Sequence, residues 1–281
     1  MPALRMLTNV GTGTMVRDET LQAFQACIAG SIIRPGGADY DSARKTWNGL
    51  IDKRPALIVR CTGVADVIAA VRFARDYDPL VAVRGGGNFG IVTSFEYQLH
   101  PVGPVLAGMI LHPIDRAREA LRFYREFTAT APDELTTYAL LLTTPEGVAV
   151  VALSCCYCGD LAVGEQVLHP LRRFGPPLAD EVKPMPYQAW QSILYDAYPP
   201  GLFNYDKSHF VSRLTDELID TVIDCFANIR SPMSALGFEQ FGGAVSRVAA
   251  DETAFPHRDA PYDIVIIGEW ADPATSAVNV Q

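Results

Sequence analysis

Three consecutive glycines, Gly85-Gly86-Gly87, sit between two runs of strand-forming residues, and this junction restricts the fold more sharply than any other stretch. Upstream lies the apolar run Leu80-Val81-Ala82-Val83, followed by Arg84. Downstream, Asn88-Phe89-Gly90 leads into Ile91-Val92-Thr93. Glycine has no Cβ, so backbone N–H groups at such a strand end can approach an anionic ligand closely, as a diphosphate requires. Gly85, Gly87 and Gly90 also satisfy the spacing G-x-G-x-x-G. That spacing signals a dinucleotide fold only where a helix follows, because the helix N-terminus holds the phosphates. Here the following residues, Ile91 to Leu99, alternate with period two and read as a strand. A nicotinamide-type loop is therefore disfavoured, and no Gly-Lys-Ser/Thr phosphate loop occurs in the sequence. Three glycines cost more chain entropy than a plain turn needs, and Arg84 supplies a fixed positive charge. An anion-cradling loop is the expectation.

The residues before the glycines predict a β–α–β unit. Ala56-Leu57-Ile58-Val59 is a short continuous apolar strand of the kind buried on both faces. Thr62 is placed to cap the next helix, with Asp66 in its first turn. Val64, Val67, Ile68 and Val71 fall at i, i+3, i+4 and i+7, one helical face expected to pack inward. Leu80–Val83 is the returning strand, expected to be parallel to the first.

Beyond Pro101 the pattern changes to antiparallel strands with covering helices. Val105–Leu111 reads as a strand and Ile114–Ala129 as an amphipathic helix burying Ala117, Ala120, Leu121, Tyr124 and Phe127. Leu135–Leu142 and Val148–Tyr157 flank a turn at Thr143–Gly147. Helices are expected over Leu161–Phe174, Tyr187–Tyr195 and Thr215–Asn228, and strands over Ser234–Phe241 and Ile264–Trp270. The expected class is α+β: a small β–α–β subdomain followed by an antiparallel sheet with helices.

Composition excludes several partners. Apolar residues make up 49% of the 281, enough for a real core, and the net charge of −9 argues against nucleic acid or an anionic membrane. No apolar window reaches the length of a membrane span, and the N-terminus lacks the long apolar core of a secretory signal, so a cytoplasmic location is the expectation. Cys155-Cys156-Tyr157-Cys158 has no second Cys or His pair to complete a zinc site, and the five histidines are scattered. The cysteines read as buried small apolar groups, and no metal is expected.

Several segments together carry a family resemblance. Tyr40-Asp41-Ser42-Ala43-Arg44, Trp47-Asn48-Gly49, Pro55 to Cys61 and Val81 to Gly87 resemble the opening of FAD-linked oxidases. These are berberine-bridge-enzyme-like flavoproteins with a p-cresol-methylhydroxylase-type FAD domain. Asn88 to Phe95, Gly242-Gly243-Ala244 and Phe255-Pro256-His257-Arg258 are similar to later family segments. The resemblance runs from about Thr20 to Trp270.

The resemblance implies two-electron oxidation of an alcohol, sugar or amine-like carbon, with FAD as cofactor and a small molecule as substrate. It assigns Arg84, Gly85, Gly86 and Gly87 to the first pyrophosphate loop, and Asn88, Gly90, Ile91 and Val92 to a later flavin-adjacent segment. In the family these two segments are separated by a second FAD subdomain, and the first is followed by a histidine that often tethers the flavin. Here Gly87 is joined directly to Asn88. The chain thus resembles a form with an internal deletion and a short C-terminal segment, in which any bound FAD is non-covalent. The implied division is a partial FAD-binding domain over residues 1–90 and a substrate-type domain over residues 91–281. Glu239, shortly before Gly242-Gly243, is the candidate catalytic proton acceptor, against the plainer role of a salt-bridged surface acid. Tyr205 and Tyr262 are candidates for the same pocket or for the core. Two readings stay open: an FAD-dependent oxidoreductase with impaired turnover, and a non-catalytic binding or homo-oligomerising module.

Overall fold

The structure, a computed structural model, describes residues 3–84 and 90–281. It divides into two compact units, Met1–Thr46 with Ile51–Leu99, and Trp47–Leu50 with His100–Gln281.

The first unit is built from short elements. Strands β1 (Leu4–Leu7) and β2 (Gly13–Val16) form an antiparallel pair, followed by helix α1 (Asp18–Ala26). Strand β3 (Ser31–Ile33), helix α2 (Tyr40–Arg44), strand β4 (Ile58–Arg60) and helix α3 (Val64–Tyr77) complete it. β4 pairs antiparallel with β3. Met6, Val16 and Leu21 form one small core, and Ile33, Tyr40 and Ala43 another.

Here the sequence expectations need correction. Leu80–Val83 and Ile91–Leu99 are not strands, so the expected parallel β–α–β unit does not form. A strand needs a neighbouring edge to satisfy its backbone groups. Among the described residues, the backbone pairing at this stretch is an isolated bridge between Thr8 and Pro79 and the Leu80 N–H donated to the Leu7 carbonyl at 2.6 Å. Leu80, Val81, Phe95, Tyr97 and Leu99 are exposed.

Helix α3 forms as expected but faces the other way. Val64, Ile68 and Val71 are about half exposed, whereas Asp66 is buried and Phe73 stacks on Phe24 of α1 at 4.2 Å. At about 100° per residue, Asp66, Phe73 and Tyr77 share one face opposite the valines and isoleucine. The cause is Asp66. Its carboxylate accepts the backbone N–H groups of Ala29, Gly30 and Thr62 at 2.8–3.0 Å and the Thr62 hydroxyl at 3.0 Å. Thr62 is therefore not the N-cap; Gly63 is, and it brings no side-chain cap.

The second unit carries one large antiparallel sheet. Its elements are β5 (Pro104–Pro113), α4 (Ala117–Thr128), β6 (Leu135–Thr143), β7 (Ala149–Tyr157), α5 (Leu161–Arg173), β8 (Ala179–Asp180) and β9 (Lys183–Pro186). There follow α6 (Tyr187–Gln191), β10 (Phe203–Val211), α7 (Asp216–Ala227), β11 (Ala235–Gln240), α8 (Ala244–Arg247), β12 (Tyr262–Trp270) and α9 (Ser276–Asn279). The strand order is β10-β12-β11-β6-β7-β5-β8, with β9 also on β5. This is the expected α+β class with antiparallel sheet and helices.

One face of the sheet holds the core. Ala120, Leu121 and Tyr124 of α4, Leu168 and Leu171 of α5, and Ile219 and Val222 of α7 pack on Ile110, Ala139, Leu141, Leu153 and Phe238. Thr215 caps α7 through the Leu218 N–H, and Asp160 caps α5. Gly108 lies at φ 159°, and a Cβ there would fall 2.5 Å from the Glu181 carbonyl oxygen, so the segment entering β9 can cross β5 closely.

Candidate functional site

Side chains alternate along a strand, so the residues that skip the core line the sheet's other face. Ala139, Phe238 and Tyr262 point into the core. Their neighbours Tyr138, Glu239 and Asp263 therefore share the opposite face, and the register sets them in one row: Tyr138 opposite Glu239, and Glu239 opposite Asp263. Phe210 of β10 continues the row opposite Asp263. On the same face toward β5 and β7, Val105, Ala107 and Cys156 are covered by Met185 and by Trp190 of α6.

Glu239 is the best-equipped proton acceptor of this row. Its Oε1 accepts a hydrogen bond from the Tyr138 hydroxyl at 2.7 Å. Burial pushes its proton affinity up, the Tyr138 hydrogen bond pulls it back, and the charge of Asp263 pushes it up again. The Tyr138 phenol is raised by burial and by Glu239, so it is a neutral donor at ordinary pH. Asp263 is buried, and its Oδ1 has no hydrogen-bond partner among the described residues. Burial raises Asp263, opposed by the His209 backbone, the Ser208 hydroxyl and the nearby His209 and His257 rings.

An aromatic wall closes the end of the row. His257 stacks on Phe210 at 4.6 Å, and Phe241 and Phe255 meet Phe210 edge-on at 5.3 and 5.4 Å. The Arg258 guanidinium lies over Phe255 at 4.9 Å. The Phe255-Pro256-His257-Arg258 segment noted in the sequence thus builds a wall around Phe210 at the Asp263 end of the row. Tyr262 is a core residue, its hydroxyl 2.6 Å from Thr128 Oγ1, and does not line this face. Tyr205 is partly exposed beneath the Lys207 ammonium. Two shallow cavities of about 510 and 440 Å³ open around Arg230 and include neither acid.

Sequence reasoning named Glu239 but missed Tyr138, Asp263 and Phe210. The missing signal is register: the strands that bring these residues together are far apart in the chain, and pairing is not written in local periodicity.

The residues assigned to the cofactor lie in the first unit. Gly85, Gly86, Gly87 and Asn88 are outside the described residues. Arg84 donates to the Ala43 carbonyl at 3.2 Å through one nitrogen. Gly90 has φ 145°, a conformation side chains rarely adopt, with open space where a Cβ would stand. Ile91 and Val92 are exposed. The described residues fit a diphosphate in part: an arginine with donors to spare, and Gly90 with open space at its Cβ position. Cys155 and Cys156 are buried and their thiols pushed up to about 12 and 11, while Cys158 is exposed. Among the described residues no group of three or more His, Cys, Asp or Glu is placed to hold a metal ion. None of the described helices is long and apolar enough to cross a membrane.

Comparison with known proteins puts the chain among relatives of the FAD-linked, berberine-bridge-enzyme-like oxidoreductases, the family its motifs resemble. An FAD-linked oxidoreductase of Dictyostelium discoideum is 29% identical over 191 residues, covering 66% of this chain and 41% of the relative. Berberine bridge enzyme-like 2 of Arabidopsis thaliana is 27% identical over 227 residues, again covering 41% of the relative and 71% of this chain. The BBE-like 1 protein of Physcomitrella patens shares the fold, with a TM-score of 0.76 at 15% identity over 92% of this chain and 86% of that one. No family model matches the chain. The chain spans about two fifths of the length of the curated relatives named here.

Proposed function

We propose that this protein is an FAD-dependent oxidoreductase that removes a hydride from an alcohol, sugar or amine-like carbon of a small molecule, with FAD held loosely and without a covalent link. The observation that carries this reading is Glu239, a half-buried carboxyl of raised proton affinity, hydrogen-bonded by Tyr138 and set beside an aromatic wall. The flavin, when bound, would supply the hydride acceptor and pass the electrons to oxygen or another acceptor. Glu239 takes the proton from the substrate's hydroxyl or amine nitrogen. Tyr138 occupies Oε1, which leaves the second carboxyl oxygen for that proton. Phe210, Phe241, Phe255 and His257 shield the acid from water on one side.

Loose binding follows from the direct join of Gly87 to Asn88. The family's second phosphate-contacting loop would lie at that join. Each charge-assisted hydrogen bond lost there is worth roughly 1.5–3 kcal/mol. Two such losses weaken binding about a hundredfold to ten-thousandfold. Reduced turnover is the consequence.

A second reading, a non-catalytic binding or homo-oligomerising module, is favoured by the exposed Val64, Ile68 and Val71 of α3 together with Leu80 and Val81. Titrating the purified chain with FAD and following flavin fluorescence separates the two. Under the first reading quenching saturates, Arg84→Ala weakens it, and Glu239→Gln binds FAD like the parent chain. A panel of aldoses, secondary alcohols and cyclic amines should then bleach the bound flavin in the parent but not in Glu239→Gln. Absence of quenching at millimolar FAD removes the first reading, and sedimentation at rising protein concentration then tests the second.

A further inference from the structure

We infer that Asp263 is a positioning residue for Glu239, and that the two carboxyl groups share one proton across the β11–β12 pair. The inference rests on the reading of Glu239 as the proton acceptor, and it adds a partner that sequence reasoning did not single out.

The geometry is specific. Glu239 and Asp263 are direct cross-strand partners on one face of the sheet. Directly opposite residues have Cβ atoms about 4.5–5.5 Å apart, within reach for two short acidic side chains. Asp263 is 6% exposed, so water does not screen it well, and its Oδ1 accepts no hydrogen bond among the described residues. Two ionised carboxylates side by side are acceptors only, and each repels the other. A single proton between them turns one into a donor, gives Asp263 Oδ1 a partner and removes one of the two charges.

The surroundings decide which acid keeps the proton. Burial raises both acids, and for Asp263 the His209 backbone, the Ser208 hydroxyl and the His209 and His257 rings act against it, favouring its charged form. Glu239 has one favouring hydrogen bond, from Tyr138, and is raised by the Asp263 charge. Beyond Tyr138, the ionisable groups that act on its phenol are Tyr187 of α6 and the buried Cys156. The anion therefore settles on Asp263 and the proton on Glu239. Glu239 becomes a base only after the second ionisation of the pair, so Asp263 sets the pH at which the site can accept a proton.

The test needs no flavin. Chain labelled with carboxyl-¹³C Glu and Asp is titrated by NMR, and the Glu239 signal is assigned by its loss in Glu239→Gln. In Asp263→Asn the Glu239 midpoint should fall by about one pH unit or more, since a like charge has been removed. Asp263→Glu should restore it. An unchanged Glu239 midpoint in folded Asp263→Asn overturns the inference. Should that variant fail to fold, the reciprocal measurement decides: with the Asp263 signal assigned by its loss in Asp263→Glu, the Asp263 midpoint must rise in Glu239→Ala, which removes the proton that stabilises its anion, and an unshifted midpoint refutes the shared proton. If FAD does not bind, the proposed activity fails while this coupling is still measured. If the pair titrates independently, the coupling fails while the activity stands.

Discussion

Helices α3 and α4 carry the same sequence signal and meet different fates. Both show apolar residues at helical spacing, and both form. In α4 most of those residues are buried, with Ala120, Leu121 and Tyr124 at 0% exposure and Phe127 partly buried, against a sheet whose core face is continuous. In α3 the corresponding stripe, Val64, Ile68 and Val71, faces outward, and the helix is held instead by one buried carboxylate and the Phe24–Phe73 stack. An apolar stripe states what a helix can bury. Whether it does so depends on a partner surface, and the expected partner strand at Leu80–Val83 is not a strand.

The sharpest way to break this comparison is to truncate one residue from each stripe. Leu121→Ala should cost about 2–5 kcal/mol, the range for deleting a buried leucine side chain from a packed core. Val71→Ala, at 52% exposure, should stay within about 0.5 kcal/mol. Denaturant unfolding of both variants measures the two values. A Val71→Ala cost approaching that of Leu121→Ala would mean that the α3 stripe is covered in solution.

A second test concerns what replaces the stripe in α3. Asp66 is 2% exposed and receives three backbone N–H groups, which hold its carboxyl down at about 2. A carboxyl whose folded value lies below its unfolded value near 3.8 contributes fully above pH 3.8, and that contribution is lost as pH falls through 2. The protection of the Ala29, Gly30 and Thr62 amides, taken relative to their intrinsic exchange rates at each pH, should therefore fall on acidification toward pH 2. Asp66→Asn should speed the same exchange at neutral pH, because an amide oxygen is a weaker acceptor than a carboxylate. Unchanged protection in Asp66→Asn would leave the rotation of α3 to its aromatic contacts alone.

These cases show where the sequence was legible. The α4 periodicity, the β6–β7 pair around Gly147, the helix α7 and the strands β11 and β12 are local patterns whose partners are present, and they appear where expected. Three features were not readable. The rotation of α3 is set by Ala29 and Gly30, more than thirty residues upstream of Asp66. Strand β10, with Asn204, Asp206, Lys207, Ser208 and His209, has no clean alternation and lies at the sheet edge, where one face of pairing is enough. The row Tyr138–Glu239–Asp263 exists only once register is fixed, so its Glu239 member was visible through its neighbouring glycines while its partners were not.

The two units also differ in how they hold a buried acid, which gives the subtlest test. Asp66 in the first unit is saturated with donors, whereas Glu269 on β12 is 1% exposed and its Oε1 has no partner among the described residues. Opposite it stands Asn204, whose amide nitrogen donates to the Leu202 carbonyl while its Oδ1 is likewise unpartnered. Burial, then the charge of Asp206, pushes the Glu269 carboxyl up to about 7. A proton on Glu269 would let it donate to Asn204 Oδ1 and satisfy both orphan oxygens. Here the sign is opposite to that of Asp66. Below pH 4.5 the acid is neutral folded or unfolded, and nothing is lost. Between 4.5 and about 7 the folded chain keeps a proton that the unfolded chain has released, so stability falls as pH rises across that window and stays lower above it. Glu269→Gln, neutral at every pH and able to donate from its amide to Asn204 Oδ1, should flatten that slope in thermal melts of the second unit. A slope that persists unchanged in Glu269→Gln would place the titrating group elsewhere.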